Sequence, residues 1–134
     1  MPFRFAWAIA LWVVFTVCWQ GCQTPTATQP LLVMREVGFD LLDVWVEGDS
    51  LHAVVRYGGG CKAHFFELQN DGPMLKSLPP KQPVRWVHRS ESDPCRALIV
   101  DTVHAAITPF RGTPHGSTFL ILNGWDLPLT YTYP

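Results

Sequence analysis

Two cysteines and two histidines hold most of the chemistry this chain could perform. Cys61 and His64 stand close together in Cys61-Lys62-Ala63-His64, and His88 lies shortly before Cys95. Thiolate and imidazole are ligands of zinc and copper, and four of them can close a tetrahedral site. Cys-x2-His followed by His-x6-Cys is not a zinc-finger spacing. The same two thiols can instead join as a disulfide, which removes them as ligands. The compartment in which the chain works decides between these readings.

The first residues speak to that compartment. Met1 to Arg4 supplies one positive charge, Phe5 to Trp19 (FAWAIALWVVFTVCW) is an apolar run, and Gln20-Gly21-Cys22 follows. A short cationic start, an apolar core and a small residue at the break have the form of a secretory signal peptide. The run is short of the about 20 residues that a spanning helix needs, and no Lys or Arg follows it until Arg35. Gly21-Cys22 resembles the lipobox of bacterial lipoproteins, although the position usually held by Leu is Trp19 here. That resemblance implies a signal peptide over 1–21 and a diacylated Cys22 that becomes the N-terminus. It also implies a membrane-attached protein, and Gln23 in place of Asp favours the outer membrane. An ordinary cleaved leader and a retained anchor helix are the alternatives.

Removing the leader takes Cys18 with it, and lipid consumes Cys22. Cys61 and Cys95 remain as one pair in an oxidising space, where a disulfide is the usual outcome. His64 and His88 stay as the metal candidates, for zinc or copper, with or without the cysteines. A histidine turned inward with a satisfied hydrogen bond is the plainer reading of each.

Composition narrows the rest. The mature part has 113 residues, enough for one small domain, with nine Lys and Arg against eleven Asp and Glu. It contains no basic run of the kind that reads nucleic acid. Gln23 to Pro30 (QTPTATQP) has no large apolar residue and reads as a solvated tether over 22–30, leaving 31–134 as the domain.

That domain must position the cysteines and histidines on strands. Val44 to Glu47 ends at a Gly48-Asp49 turn, and Leu51, Ala53, Val55 and Tyr57 alternate with more polar neighbours. Lys62 to Gln69 closes on Asn70-Asp71-Gly72-Pro73, and Val84 to Arg89 alternates again. Arg96 to Thr108 could be misread as a helix, but its β-branched residues and Pro109 favour a strand. Phe119 to Leu122 and Leu129 to Tyr133 flank Asn123-Gly124 as a closing hairpin. About seven short strands at this spacing predict an all-β fold, an antiparallel β-sandwich. Strand parity puts His64 on the face of Phe66 and Leu68, and His88 on the face of Val84 and Trp86. Both therefore point inward. Gly58 to Gly60 reads as a bulge or turn that aims Cys61.

Other constellations are weaker. Asp101, His104 and Ser117 suggest a small envelope hydrolase, but no nucleophile elbow surrounds the serine. Asp40, Asp43, Glu47 and Asp49 lack the spacing of a calcium loop and read as a solvated edge. Trp45, Trp86 and Trp125 could line a sugar or peptide surface, although core packing suits at least two of them. Gly58 to Leu68 (GGGCKAHFFEL), with His88 and Asp93-Pro94-Cys95, resembles a pattern in small exported bacterial domains. The resemblance covers about half the mature chain and implies no activity. The expectation is a non-enzymatic, lipid-anchored envelope protein with an envelope protein as partner. A metal-handling lipoprotein is the alternative.

Overall fold

In the computed structural model the described residues are 33–134. The expected signal peptide, the lipidated Cys22, the tether over 22–30 and the first residues of the domain lie outside them. Eight strands follow in order: β1 (Arg35–Glu36), β2 (Asp40–Glu47), β3 (Ser50–Gly59), β4 (His64–Asn70), β5 (Lys81–Ser90), β6 (Ala97–Ala106), β7 (Gly116–Leu122) and β8 (Leu129–Tyr133). A single turn of 3-10 helix, Thr108–Phe110, sits between β6 and β7.

The strands form the two sheets of an all-β sandwich. β2, β3 and β6 make one, with β3 in the middle. In the other, β5 is central: β4 runs along one side, while β1 and β7 share the opposite side and β8 extends it.

The alternation of β3 explains its place. Leu51, Ala53, Val55 and Tyr57 are buried, while His52, Val54 and Arg56 are only half-buried on the other face. Val84, Trp86, Leu120, Leu122, Tyr131 and Tyr133 meet them from the opposite sheet, and Ile107 and Phe110 plug one end. A period of two in each sheet thus builds one shared core.

The expected strands are present, most of them longer than their clearest alternation. Arg96 to Thr108 does contain a strand, paired with β3 over ten residues from Ala97 to Ala106. The expected final hairpin is β7–β8. One pairing differs from an all-antiparallel sandwich: β5 and β7 are parallel, Lys81 opposite Phe119 through Val84 opposite Leu122. The chain leaves β5 for the other sheet at β6 and then returns, so β7 arrives beside β5 in the same direction. That depends on the crossing between sheets, which no local pattern encodes.

Candidate functional site

His64 opens β4 and His88 lies near the end of β5. Phe66 is the direct partner of His88, so His64 is its diagonal neighbour on the same inward face. The two rings meet: His64 Nδ1 is 2.9 Å from His88 Nε2. On its other side His64 Nε2 lies 3.1 Å from Asp93 Oδ2. Only 5% of the His64 side chain and 7% of that of Asp93 reach solvent, and His88 is fully buried. Both histidines therefore point inward, as strand parity requires.

Asp93 organises the loop that carries Cys61. Its Oδ2 accepts the backbone N–H groups of Gly60, Cys61 and Lys62 at 2.9, 3.0 and 3.0 Å, and its Oδ1 accepts that of Cys95 at 2.8 Å. Cys61 and Cys95 are joined as a disulfide with their Cα atoms 5.7 Å apart. One carboxylate thus holds the backbone of both half-cystines.

Gly59 makes room for this arrangement. It has φ +151°, and a Cβ there would stand 2.5 Å from His64 Nε2 and 2.8 Å from Asp93 Oδ2. The glycines turn the chain and admit a close approach, and Asp93 is what they approach.

The electrostatics fix the charge of Asp93. Burial works to raise the pKa of Asp93, but the N–H donors of Cys95, Cys61 and Lys62 and the bond to His64 outweigh it. Its carboxyl is held far below the usual carboxylate range. An ionised Asp93 needs the His64 proton on Nε2. The proton in the bond between the two rings sits on His64 Nδ1 or on His88 Nε2, according to the tautomer. Burial, and then the neighbouring His64, push the pKa of His88 down, while the backbone of Gly38 and Val37 offsets part of this. His88 Nδ1 is left buried with no well-formed hydrogen bond among the described residues. Phe66 stacks on the His88 ring at 4.2 Å, and Tyr57 and Phe39 pack against it at 4.9 and 5.9 Å.

A pH dependence follows from these directions. The unfolded chain takes up a proton at the ordinary histidine value of 6.5, whereas His88 in the fold resists it. Stability should therefore fall as pH drops below about 6.5, and fall again in acid as Asp93 is forced to protonate. Urea unfolding at pH 7.5 and 5.5 should show the first loss in the wild type and not in His88→Phe. A flat wild-type profile, or the same slope in the variant, would contradict this origin.

The chain Asp93–His64–His88 has the order of a catalytic relay, yet both His64 nitrogens are engaged and His88 meets no solvent. The hydroxyl of Ser90 donates to the Ala63 carbonyl at 3.1 Å. The cleft beside the site, bordered by Arg35, Val37, His64, Ser90 and Asp93, holds only about 140 Å³. As for metal, the sulfurs of Cys61 and Cys95 are spent on each other. His64 and His88 remain as two facing nitrogens with Asp93 behind one of them, the outer-shell carboxylate that a metal-bound histidine commonly has.

The remaining expected groups are dispersed. Asp101 and His104 lie on opposite faces of β6, and Ser117 is on β7 in the other sheet. Asp40 pairs with Arg56, Asp43 accepts the N–H of Val44, Glu47 lies near His52, and Asp49 binds elsewhere. Trp86 is in the core, Trp125 packs against it, and Trp45 is 37% exposed.

Two features escaped the sequence reading. Asp49 accepts hydrogen bonds from Tyr131 Oη at 2.5 Å and from Arg111 at 2.8 Å, tying three distant segments together. Those two bonds, Tyr131 first, hold the pKa of Asp49 down. Beside Gly112 and Thr113 a second concavity of about 750 Å³ opens, lined mainly by Met74, Leu75, Leu78 and Pro80. Pro80 precedes the start of β5 and Ser90 ends it, so the two concavities sit at opposite ends of that strand, about 30 Å apart.

No protein-family model, no curated protein and no solved structure matches this chain.

Proposed function

We propose that this chain is a lipid-anchored protein of the bacterial envelope, held by Cys22 at the outer membrane, with a non-enzymatic binding or structural role. The observation that carries the non-enzymatic part is the closure of the Asp93–His64–His88 chain. Its members are bonded to each other and to the backbone, and its innermost ring is inaccessible. The roomier, mainly apolar concavity lies at the other end of β5 from Arg35, where the described chain comes in. An open, mainly apolar concavity suits an envelope protein partner.

The anchor is tested by Cys22→Ala. The variant should move from the membrane to the soluble fraction, because stable attachment needs more than one acyl chain or signal and this change removes them. A variant that stays membrane-bound and unprocessed would mean that the leader is a retained helix.

A second reading is metal handling at His64 and His88, favoured by the facing nitrogens and the Asp93 carboxylate behind them. It requires zinc or copper to replace the shared proton. Tetrahedral ligands about 2.0–2.1 Å from zinc stand further apart than the present 2.9 Å, so the packed rings would have to separate. Elemental analysis of purified wild type and His64→Gln decides it: metal in the first and none in the second would replace the binding reading.

A further inference from the structure

The outward face of the β2–β3–β6 sheet carries a row of three rings that plays no part in the site above. Trp45 is the direct partner of His52, and His52 of His104. Trp45 stacks on His52 with ring centres 5.2 Å apart and planes at 11°, and His52 on His104 at 5.7 Å and 29°. Glu47 lies on the same face of β2, with its carboxylate 3.9 Å from His52 Nε2. The side chain of His104 makes no hydrogen bond or ion pair among the described residues, and the residue is exposed.

Packing alone would be served by any aromatic residue in these positions. Imidazole differs in offering a lone pair, and here two imidazoles stand directly opposite each other on paired strands. Directly opposed Cβ atoms are held about 4.5–5.5 Å apart, close enough for two histidines to share one ion. The pairing of β3 with β6 continues for two residues on one side of them and seven on the other, so ligand binding need order little backbone. His104 is exposed, and a change in its χ angles turns its ring from stacked to convergent.

We propose that His52 and His104, with Glu47 as third ligand, form a surface site for a borderline divalent transition ion, copper ahead of zinc. Two nitrogens and one carboxylate suit these ions and not magnesium or calcium, which prefer all-oxygen sets. The remaining positions stay open to water, so this is a site for binding and exchange. It bridges β3 and β6 and does not depend on the reading of His64 and His88.

The test uses the untagged full-length chain in detergent, stripped of metal with a chelator and titrated calorimetrically with CuCl₂, ZnCl₂ and MgCl₂. One copper ion should bind per chain, zinc more weakly and magnesium not at all. His52→Gln and His104→Gln should each weaken copper binding by at least about tenfold, Glu47→Gln less, and His64→Gln should leave it unchanged. Copper should also quench the fluorescence of the stacked Trp45, and Trp45→Phe should lose that signal while the heat remains. Absence of binding, equal binding of magnesium, or loss of binding in His64→Gln but not in His52→Gln would overturn the proposal.

Discussion

Replacing Cys61 and Cys95 together by serine should lower the stability of the domain by about 3–4 kcal/mol, the chain-entropy value for a closed loop of this length. The two half-cystines are 34 residues apart in sequence, and that segment contains β4 and β5 entire. A domain of this size loses roughly 4–8 °C of Tm per kcal/mol, so the midpoint should fall by about 12–30 °C. The double substitution avoids leaving one unpaired thiol near Asp93. Calorimetric melting with and without reductant checks it: reduced wild type should approach the variant. A melting point within about 2 °C of wild type would mean that the Asp93 clamp holds the loop without the covalent bond.

Gly59→Ala should have a comparable effect from a single methyl group. A side-chain-bearing residue at φ +151° costs about 1–3 kcal/mol from backbone conformation alone. The new Cβ would also fall within 3 Å of His64 Nε2 and Asp93 Oδ2, two groups with little room to retreat. Moving either one breaks the bond between them. The total should therefore exceed the conformational cost, at about 2–4 kcal/mol. Gly58→Ala is the matched control: its Cβ would meet nothing within 4 Å, and its φ is not positive. It should stay within about 0.5 kcal/mol of wild type. Equal stability of the two variants, read by urea unfolding, would contradict the close approach at Gly59.

The parts of this architecture visible in the sequence are those set by local periodicity. Leu51 to Tyr57 alternates because one face of β3 meets the core, and the same rule turns His64 and His88 inward. The two residues of β1 are too few to show any period. The parallel pairing of β5 with β7 arises from a crossing between sheets. Asp93 is the instructive case within the site. Its bond to the N–H of Cys95, two residues on, is a local Asx-type turn that Asp93-Pro94-Cys95 could have suggested. Its bonds to Gly60, Cys61 and Lys62 cross about 30 residues and belong to the fold. The glycines announced a tight approach without saying what approached. Asp49, Arg111 and Tyr131 gave no sign of meeting, because each looks ordinary within its own segment.

The cystine and Gly59 both bear on one idea: the histidine–aspartate chain is a structural lock on the loop that joins β3 to β4. A double-mutant cycle of His64→Gln and Asp93→Asn, followed by urea unfolding of the full-length chain near neutral pH, tests that most directly. The lock predicts that each single variant unfolds at lower urea than wild type. It also predicts that the double variant loses less than the two single losses combined, because both remove the same contact. If all three variants unfold at the wild-type midpoint, the constellation does not hold the fold together, and its residues must be kept for chemistry instead.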